Sequence, residues 1–309
     1  MSGATAVAGA VQIVGGIALA PLLPGLVQSF KARLQGRRGA SPGQPYRELR
    51  RLWGKSAVAV EGTTVLYRLA PAVVAAALAT GVLLVPVGGR APDWPVGADA
   101  LVLIGLLTLA RFTVTLAAWD TGSGFALMGA GRDLAYSVFV EGLLLLALVL
   151  AALPGGSTDL RALSDAAGGS DRWGEPAHWC ALLAFGLVVL AETGRQPIDN
   201  PDTHLELTMI HEGPLLEYAG RDLAYLQWAA AARHWIVLVL GAELFLPHGG
   251  SFWVRLATLA VALPALCAAL AVTETWQAKM RILRVPRFLA AGAGIALLGL
   301  VSWYLGGGA

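Results

Sequence analysis

Residues 133–153, DLAYSVFVEGLLLLALVLAAL, decide the fold class of this chain. An apolar helix of about 20 residues crosses a hydrocarbon core of ~30 Å, and this run is long enough to do so. The 309-residue chain is 56% hydrophobic and only 14% charged, with a mean hydropathy of +0.65. Soluble domains usually carry about 25% charged residues. We therefore predict an all-α membrane protein whose residues 1–309 form a single polytopic membrane domain.

Similar apolar runs recur along the whole chain. We predict about eight transmembrane helices, at 6–30, 65–87, 99–119, 133–153, 177–193, 223–247, 252–273 and 285–306. No Lys or Arg precedes the first run, so it lacks the basic region of a cleavable signal peptide. We expect it to be retained as the first helix.

The basic residues are shared unevenly between the two sets of connections. With an external N-terminus, the inner connections are 31–64, 120–132, 194–222 and 274–284. The first carries a dense group of cations: Lys31, Arg33, Arg37, Arg38, Arg47, Arg50, Arg51 and Lys55. Cytoplasmic loops keep the excess of Lys and Arg, so we predict a multi-pass plasma-membrane protein with both termini outside the cytoplasm. The net charge of +2 gives no indication of a nucleic-acid partner, and the expected surroundings are the lipid bilayer.

An acidic insert, 192–222, separates two of the apolar runs and reads ETGRQPIDNPDTHLELTMIHEGPLLEYAGRD. Carboxylates this close to a bilayer are costly unless they are hydrated, paired or protonated. Apolar residues threaded between the acids favour a structured cytoplasmic loop over a plain solvated one. We predict that this insert takes up and releases protons, and its candidate acids are Glu192, Asp199, Asp202, Glu206, Glu212 and Glu217.

A short basic segment, 44–61, has apolar residues at helical spacing on one face and charges on the other. This pattern predicts an amphipathic helix lying in the membrane interface, where it covers a cavity or docks a partner. The alternative is a basic loop that only fixes the topology.

Residues 119–142 contain four glycines, Gly122, Gly124, Gly129 and Gly131, which predict a flexible turn that lets backbones approach closely. Asp133 would then open the next span, near a helix N-terminus. Glu141 falls eight residues later, about 12 Å deeper.

A carboxyl group at the depth of Glu141 is a functional candidate. The alternative is a structural hydrogen-bond partner for Arg111 or Arg233, the embedded arginines. These arginines would be costly alone, so we expect them to pair with carboxylates or to line water. Together such groups could form a hydrated polar track.

Metal and redox chemistry find little support in the spacing. His211-Glu212 begins like an HExxH zinc motif, but no second histidine follows, and His204 lies seven residues away without a third ligand. Cys180 and Cys267 sit singly in apolar runs, where packing is the expected role. No CxxC pair could hold an iron–sulfur cluster. We therefore predict a chain that binds no metal or other cofactor and is not catalytic by itself.

The acidic insert resembles the signature loop of the complex I subunit 1 family. The likeness is closer to the branch found in group 4 membrane-bound hydrogenases, of the formate hydrogenlyase subunit 4 type, whose pattern ETGR-P-DNP-THLELTMIHE----EYSG is largely kept at 192–220. Residues 120–133 with Glu141, and residues 37–52, resemble the family's other inner segments. Ala219 stands where serine is commoner, and 125–128 (FALM) look closer to complex I.

This resemblance implies a membrane subunit of a proton-translocating oxidoreductase complex. The implied partners are a hydrogenase-like large subunit, iron–sulfur subunits and antiporter-like membrane subunits. Iron–sulfur clusters and a nickel–iron centre would lie in those partners, and a quinone is a further candidate cofactor. The residues implied for the docking loop are Asp120, Arg132, Asp133, His204, His211 and Tyr218.

The residues expected to carry protons and coupling are Glu141, Glu192, Glu206, Glu212, Glu217, Asp199, Asp202, Arg111, Arg195 and Arg233. Two rival functions stay open. A stand-alone secondary transporter or ion channel would explain the embedded charges, but not the acidic insert. A purely structural anchor would use the same carboxylates for packing.

Overall fold

The fold is seen in a computed structural model, which describes residues 3–58, 60–89, 97–167, 170–199, 209–247, 249 and 251–306. Within these ranges the ordered elements are helices, and an isolated antiparallel β-bridge joins Asp99 and Asp159. The predicted all-α class is thus confirmed. Three of the candidate residues, Asp202, His204 and Glu206, lie outside the described residues.

Eleven α-helices are found in the described ranges. They are α1 Gly3–Leu19, α2 Leu22–Leu34, α3 Gln44–Trp53, α4 Val65–Leu84, α5 Ala100–Asp120, α6 Gly124–Ala152, α7 Leu160–Ala167, α8 Pro176–Glu192, α9 Gly220–Phe245, α10 Phe252–Trp276 and α11 Val285–Leu305. Short 3-10 turns occupy Ser170–Gly174, Gly213–Leu215 and Ile282–Arg284.

Six helical segments are long and apolar enough to cross a membrane, namely α4, α5, α6, α9, α10 and Ile282–Leu305. Helices α1 and α2 are bent by 45° at Ala20–Pro21, and they make a seventh span if the pair is counted as one. Helix α8 is apolar but only 17 residues long. The membrane fold is as predicted, whereas the count of eight spans is not confirmed.

Two helix starts show how the sequence sets these boundaries. The Thr64 side chain accepts a hydrogen bond from the Leu66 N–H at 3.2 Å at the start of α4. Asp99 likewise accepts from the Leu101 N–H at 2.7 Å at the start of α5. Such caps satisfy backbone donors that the first helical turn leaves unpaired.

Three predicted boundaries were wrong. The expected loop 120–132 shrinks to 121–123, because α6 begins at Gly124. Asp133 is therefore the tenth residue of a 29-residue helix and not part of its first turn. The amphipathic helix α3 is present but ends at Trp53, where Gly54 follows, so it is shorter than the predicted segment 44–61.

The connections fall into two groups at opposite ends of the bundle. At one end there are three hydrogen bonds: the Thr64 N–H donates to Asp120, Lys279 donates to Asp199, and Tyr67 donates to the Glu217 carbonyl. At the other end, further contacts join the remaining connections: Gly88 to Glu243, Leu160 to Ala98 and Asp165 to Arg255. We call the first end, which holds the acidic insert, the insert end, and the second the opposite end. The larger hydrophobic core of the described residues, which includes Phe185, Leu103 and Ile236, lies between them, and Ala118, Ala126 and Ala130 form a small separate cluster.

Candidate functional site

Arg111 of α5 is the centre of a buried charge cluster near the insert end. Its guanidinium faces three carboxylates: Nη2 lies 2.9 Å from Glu192 Oε1, Nη1 lies 3.4 Å from Glu141 Oε1, and Nε lies 3.5 Å from Asp133 Oδ2. Only 3% of the Arg111 side chain is exposed. An arginine buried this deeply must be compensated, and helices α6 and α8 supply the carboxylates.

Arg233 of α9 extends the cluster. Its Nε atom lies 3.7 Å from Glu192 Oε2, so Glu192 stands between two guanidinium groups. Both arginines line a cavity of about 120 Å³. Asp133, Glu192 and His211 also line it, together with apolar side chains from α4 and α9. Buried polar walls of this kind can hold ordered water.

His211 connects this cluster to the surface of the insert. Its Nε2 atom lies 3.8 Å from Asp133 Oδ1, and its Nδ1 atom lies 3.2 Å from Asp199 Oδ2. Lys279 Nζ donates to the other oxygen of Asp199 at 2.8 Å. A quarter of the His211 side chain is exposed. A continuous series of charged groups therefore runs from the insert to the interior.

The charged neighbours set the protonation of this outer pair. Burial alone would lower the pKa of His211, but the hydrogen bond to Asp199 and the charges of Asp133 and Asp199 outweigh it and raise the pKa above its ordinary value. Burial would raise the pKa of Asp199, yet hydrogen bonds and charges from His211 and Lys279 hold it well below its usual range. The pair therefore favours an imidazolium beside a carboxylate.

Counting the linked groups shows what one proton does here. The carboxylates are Asp133, Glu141, Glu192 and Asp199, and the fixed cations are Arg111, Arg233 and Lys279. Among the described residues, these four formal negative charges face three fixed positive ones, and a protonated His211 supplies the fourth. Uptake of one proton at His211, or at one of the carboxyl groups, balances the formal charges of these described groups.

The backbone of the insert is held against the bundle at both of its described parts. Asp199 Oδ2 accepts hydrogen bonds from the N–H groups of Ile210 and His211, each at 3.3 Å. The turn Gly213–Leu215 packs on α6, where a Cβ atom on Gly129 would lie 2.8 Å from the Gly213 Cα atom. Glycine at position 129 is therefore needed for this close approach. Of the four glycines in the predicted turn, only this one has a neighbour at such a distance.

A second buried cluster ties the insert to α2 and α10. Arg195 Nη1 lies 3.1 Å from Glu274 Oε1, and Lys31 Nζ lies 3.4 Å from Glu274 Oε2. The Glu274 side chain is fully buried. Arg195, predicted for the proton path, is thus joined to a carboxylate separate from the Arg111 cluster.

Tyr67 and Tyr218 connect α4 to the end of the insert by hydrogen bonds and ring stacking. Tyr67 donates to the Glu217 carbonyl at 2.7 Å, and Tyr218 donates to the Tyr67 carbonyl at 2.9 Å. Their rings stack at 4.4 Å between centroids. Burial, with the charges of Tyr67 and Asp222, raises the pKa of the Tyr218 phenol well above its ordinary value, so it remains a donor.

The remaining predicted residues have local contacts at the insert end. Asp120 accepts from the N–H and hydroxyl of Thr64, each at 2.8 Å, and so supports the start of α4. Arg132 Nη1 donates to the Met209 carbonyl at 3.4 Å. The Glu212 side chain is exposed and Glu217 is half-buried. These two acids lie at the surface of the insert, away from the Arg111 cluster.

Sequence reasoning missed the roles of Glu274, Lys31, Lys279 and Tyr67. Glu274 looked like the end of a span, and the two lysines looked like topology signals. The available signal was an acid placed directly after the apolar run 252–273, where a buried partner is needed. Among the described residues, no group of three histidine, cysteine or acidic side chains is arranged to hold a metal ion.

A quinone fits this cavity poorly. Ligand sites are usually about 300–1,000 Å³, whereas the cavity beside Arg111 measures about 120 Å³. Its polar groups also already face one another in ion pairs.

Comparison with known proteins agrees with this architecture. The chain is 32% identical to hydrogenase-4 component C of Escherichia coli (strain K12), covering 93% of this chain and 92% of that protein. It is 31% identical to formate hydrogenlyase subunit 4 of the same strain, covering 92% and 94%. A component of the NADH-quinone oxidoreductase of Rhodopseudomonas palustris (strain BisB5) is 32% identical over 50% of this chain and 47% of that protein.

The fold is also found in a solved structure. A chain of the membrane-bound sulfane sulfur reductase, described as an archaeal respiratory membrane complex, superposes with a TM-score of 0.83 at 20% identity, covering 96% of this chain and 99% of that one. The NADH dehydrogenase family matches residues 7–303. The family match over nearly the whole chain and the two Escherichia coli relatives, each more than 30% identical over more than 90% of both chains, place this protein in the NADH dehydrogenase (complex I subunit 1) family.

Proposed function

We propose that this chain is the membrane subunit of a proton-translocating redox complex, and that it couples electron transfer in a partner to proton movement. Its two full-length relatives above 30% identity are components of a hydrogenase and of a formate hydrogenlyase. The observation that carries the proposal is the series of ion pairs from His211 through Asp133 to Arg111, Glu141 and Glu192.

Glu141 is the carboxylate in this series best suited to exchange a proton. Its contact with Arg111 is 3.4 Å, against 2.9 Å for Glu192, and 23% of its side chain is exposed, against 1%. The longer contact and the partly exposed side chain leave Glu141 able to meet water, whereas Glu192 is enclosed by its ion pairs. Glu192, held by two arginines, acts as a fixed negative charge.

His211 is the group that receives the signal. It contacts Asp199 in the insert and faces Asp133 in α6. A change in charge or position at the docked partner would alter the balance between these two contacts, because carboxyl and imidazole pKa values respond to nearby charge. The proton would then pass to the Asp133–Arg111 cluster and on to Glu141. Glu212 and Glu217 at the insert surface would supply the entrance, with Asp202 and Glu206 from the same insert.

The proposed partners are those that the resemblance to the complex I subunit 1 family implies. The insert end would receive a hydrogenase-like large subunit and iron–sulfur subunits, which would hold the iron–sulfur clusters and a nickel–iron centre. Antiporter-like membrane subunits would continue the proton path in the bilayer. The excess of Lys and Arg in 31–64 supports a cytoplasmic insert end, with both termini on the other side.

The test is a Glu141→Gln variant of the tagged complex, purified with its partners and reconstituted into liposomes. Redox turnover and proton uptake are measured on the same sample. We expect normal subunit composition, redox turnover retained and proton uptake reduced at least about tenfold, because glutamine cannot carry the proton.

Glu243→Gln is the matched control. Glu243 is also buried, but it lies at the opposite end, where it accepts from the Gly88 N–H and the Ser164 hydroxyl, each at 2.8 Å. Normal pumping in Glu141→Gln would remove Glu141 from the path and favour a structural anchor. Ion movement by the isolated chain, without redox partners, would favour a stand-alone transporter.

A further inference from the structure

A small cavity at the opposite end is lined by a guanidinium and an imidazole group, each with a buried nitrogen atom that has no hydrogen-bond partner among the described residues. It measures about 10 Å³ and lies where α6, α8, α9 and α11 come together. Its polar lining comes from Arg172, Glu175 and His178, and apolar residues such as Phe245 and Trp303 complete it. This volume admits one water-sized atom and not a whole ligand. Any larger group must therefore sit at the mouth and insert a single atom.

Two side chains lining this cavity have buried nitrogen atoms without partners. Arg172 is 9% exposed, and its Nη2 atom is buried with no hydrogen-bond partner among the described residues. His178 is 7% exposed, and its Nε2 atom is in the same condition. Buried polar groups are nearly always satisfied, so the Arg172 nitrogen indicates a missing acceptor and the His178 nitrogen a missing hydrogen-bond partner.

The start of α8 adds a third favourable contribution. Glu175 is the residue that precedes this 17-residue helix, and Ala177 and His178 of its first turn line the cavity. The helix dipole favours an anion near a helix N-terminus. The site therefore combines a guanidinium, an imidazole and a helix start.

The surroundings place this site at the level of lipid headgroups. Trp173 and Trp179 are 37% and 42% exposed and pack edge to face at 5.2 Å, beside His178. Trp303 lies in the last turn of α11. Tryptophan collects at the membrane–water interface because it has an apolar ring and a polar N–H.

Glu175 is the competing acceptor for Arg172. Burial lowers the pKa of the Arg172 guanidinium, and the Glu175 charge opposes this shift without reversing it. No ion pair within 4.0 Å joins these two side chains in the described structure. The Glu175 charge therefore acts on Arg172, but the Arg172 Nη2 atom is left without a hydrogen-bond partner among the described residues.

We propose that Arg172 and His178 form a phosphate-binding site for the headgroup of an anionic phospholipid, with one phosphate oxygen entering the cavity. The Arg172 guanidinium would donate to that oxygen, and His178 would take up a proton together with the anion, so that its Nε2–H group could donate as well. Lipid tails would lie along the apolar surface of α11. The shared chemistry is a phosphate, so free inorganic phosphate is the alternative source.

The test uses the intact complex, delipidated and placed in nanodiscs of phosphatidylethanolamine with increasing phosphatidylglycerol. Retained phosphatidylglycerol per complex is measured by native mass spectrometry. For Arg172→Gln and for His178→Gln we expect apparent affinity to fall at least about tenfold, because each loses one charge-assisted hydrogen bond. Glu175→Gln should strengthen binding, since it removes a repelling charge.

Arg255→Gln is the matched control, because it removes the same charge from the same end. Arg255 already has a carboxylate partner, Asp165 Oδ1, at 2.7 Å. The proposal is overturned if Arg255→Gln weakens binding as much as Arg172→Gln, or if Glu175→Gln lowers it. Binding abolished by millimolar inorganic phosphate, with no preference for phosphatidylglycerol, would assign the site to free phosphate and overturn the lipid assignment. Thermal unfolding of each variant shows whether a loss of phosphatidylglycerol binding reflects misfolding. If Arg172→Gln is misfolded, His178→Gln tests the proposal on its own.

Discussion

Arg111 and Glu192 are joined by a 2.9 Å contact between Nη2 and Oε1, with 3% and 1% of their side chains exposed. Both side chains are almost completely buried, so the charge of each is stabilised mainly by its ion-pair partners. Arg111 also serves Asp133 and Glu141, whereas Glu192 also faces Arg233. Arg111 is therefore the member whose removal leaves the largest uncompensated charge.

Replacement of Arg111 by Gln should destabilise the chain strongly. Breaking a buried ion pair by removing one partner typically costs about 3–5 kcal/mol, because the other charge remains buried. Thermal unfolding of the purified complex, followed by tryptophan fluorescence, measures the effect. Arg255→Gln provides the comparison, since its partner Asp165 is 61% exposed and such pairs contribute about 0–1 kcal/mol. Equal losses in the two variants would contradict a central role for Arg111.

The His211–Asp199 pair predicts a pH-dependent stability. The folded-state pKa of His211 is raised, so its contribution is complete below about 6.5 and is lost as pH rises through the raised value. The pKa of Asp199 is lowered, so its contribution is present above about 3.8 and is lost only as pH falls towards the lowered value. We expect the unfolding temperature to fall between pH 6 and pH 9, and this decline to be smaller in His211→Gln. An unchanged slope in the variant would show that other groups cause the decline.

Two glycines of α6, Gly129 and Gly131, allow the cost of lost close packing to be measured separately from the effect of helix propensity. Gly129→Ala would bring a Cβ atom to 2.8 Å from the Gly213 Cα atom and 2.9 Å from the Pro214 Cδ atom. Overpacking of this kind costs about 1–3 kcal/mol. Gly131, two residues later in α6, has nothing within 4 Å, so Gly131→Ala should be neutral or stabilising by about 1 kcal/mol. Hydrogen exchange of the segment 209–219 should rise in the first variant only.

The Glu274 cluster can be tested by a double-mutant cycle. Glu274→Gln removes the carboxylate that faces both Lys31 and Arg195 and should cost about 3–5 kcal/mol. If the cost comes from the Lys31 charge, Lys31→Met should recover part of it, with an interaction energy of about 0.5–3 kcal/mol. Glu48→Gln is the control, because it breaks the exposed contact with Arg51. Strict additivity of Lys31→Met and Glu274→Gln would contradict a direct pairing.

Much of the fold could be predicted because apolar length and loop charge are local properties of the sequence. The start of α6 could not, since four glycines between 122 and 131 indicate a turn by intrinsic propensity. In the fold, Ala126 and Ala130 are fully buried and Gly129 touches the insert, so packing outweighs the glycine penalty.

Among the charged residues, too, some contacts could be predicted from the sequence and others could not. The need of Arg111 for carboxylates followed from the cost of burying a charge, and Glu141 was already considered as its partner. The choice of Asp133 and Glu192 as the other partners depends on helix packing over large sequence separations. The Lys31–Glu274 contact, across 243 positions of the chain, depends on the same packing and has no local signal.

Helix α6 links the turn Gly213–Leu215 mechanically to the buried charges. This 29-residue helix is about 43 Å long, and it carries Gly129 against the insert as well as Asp133 and Glu141 beside Arg111. An uninterrupted helix moves as a rod, so a push on the turn at Gly213 would displace both carboxylates along its axis. Coulomb energy at low permittivity varies steeply with separation. A motion of about 1 Å at the surface would then change the electrostatic energy of the ion pairs inside the bundle.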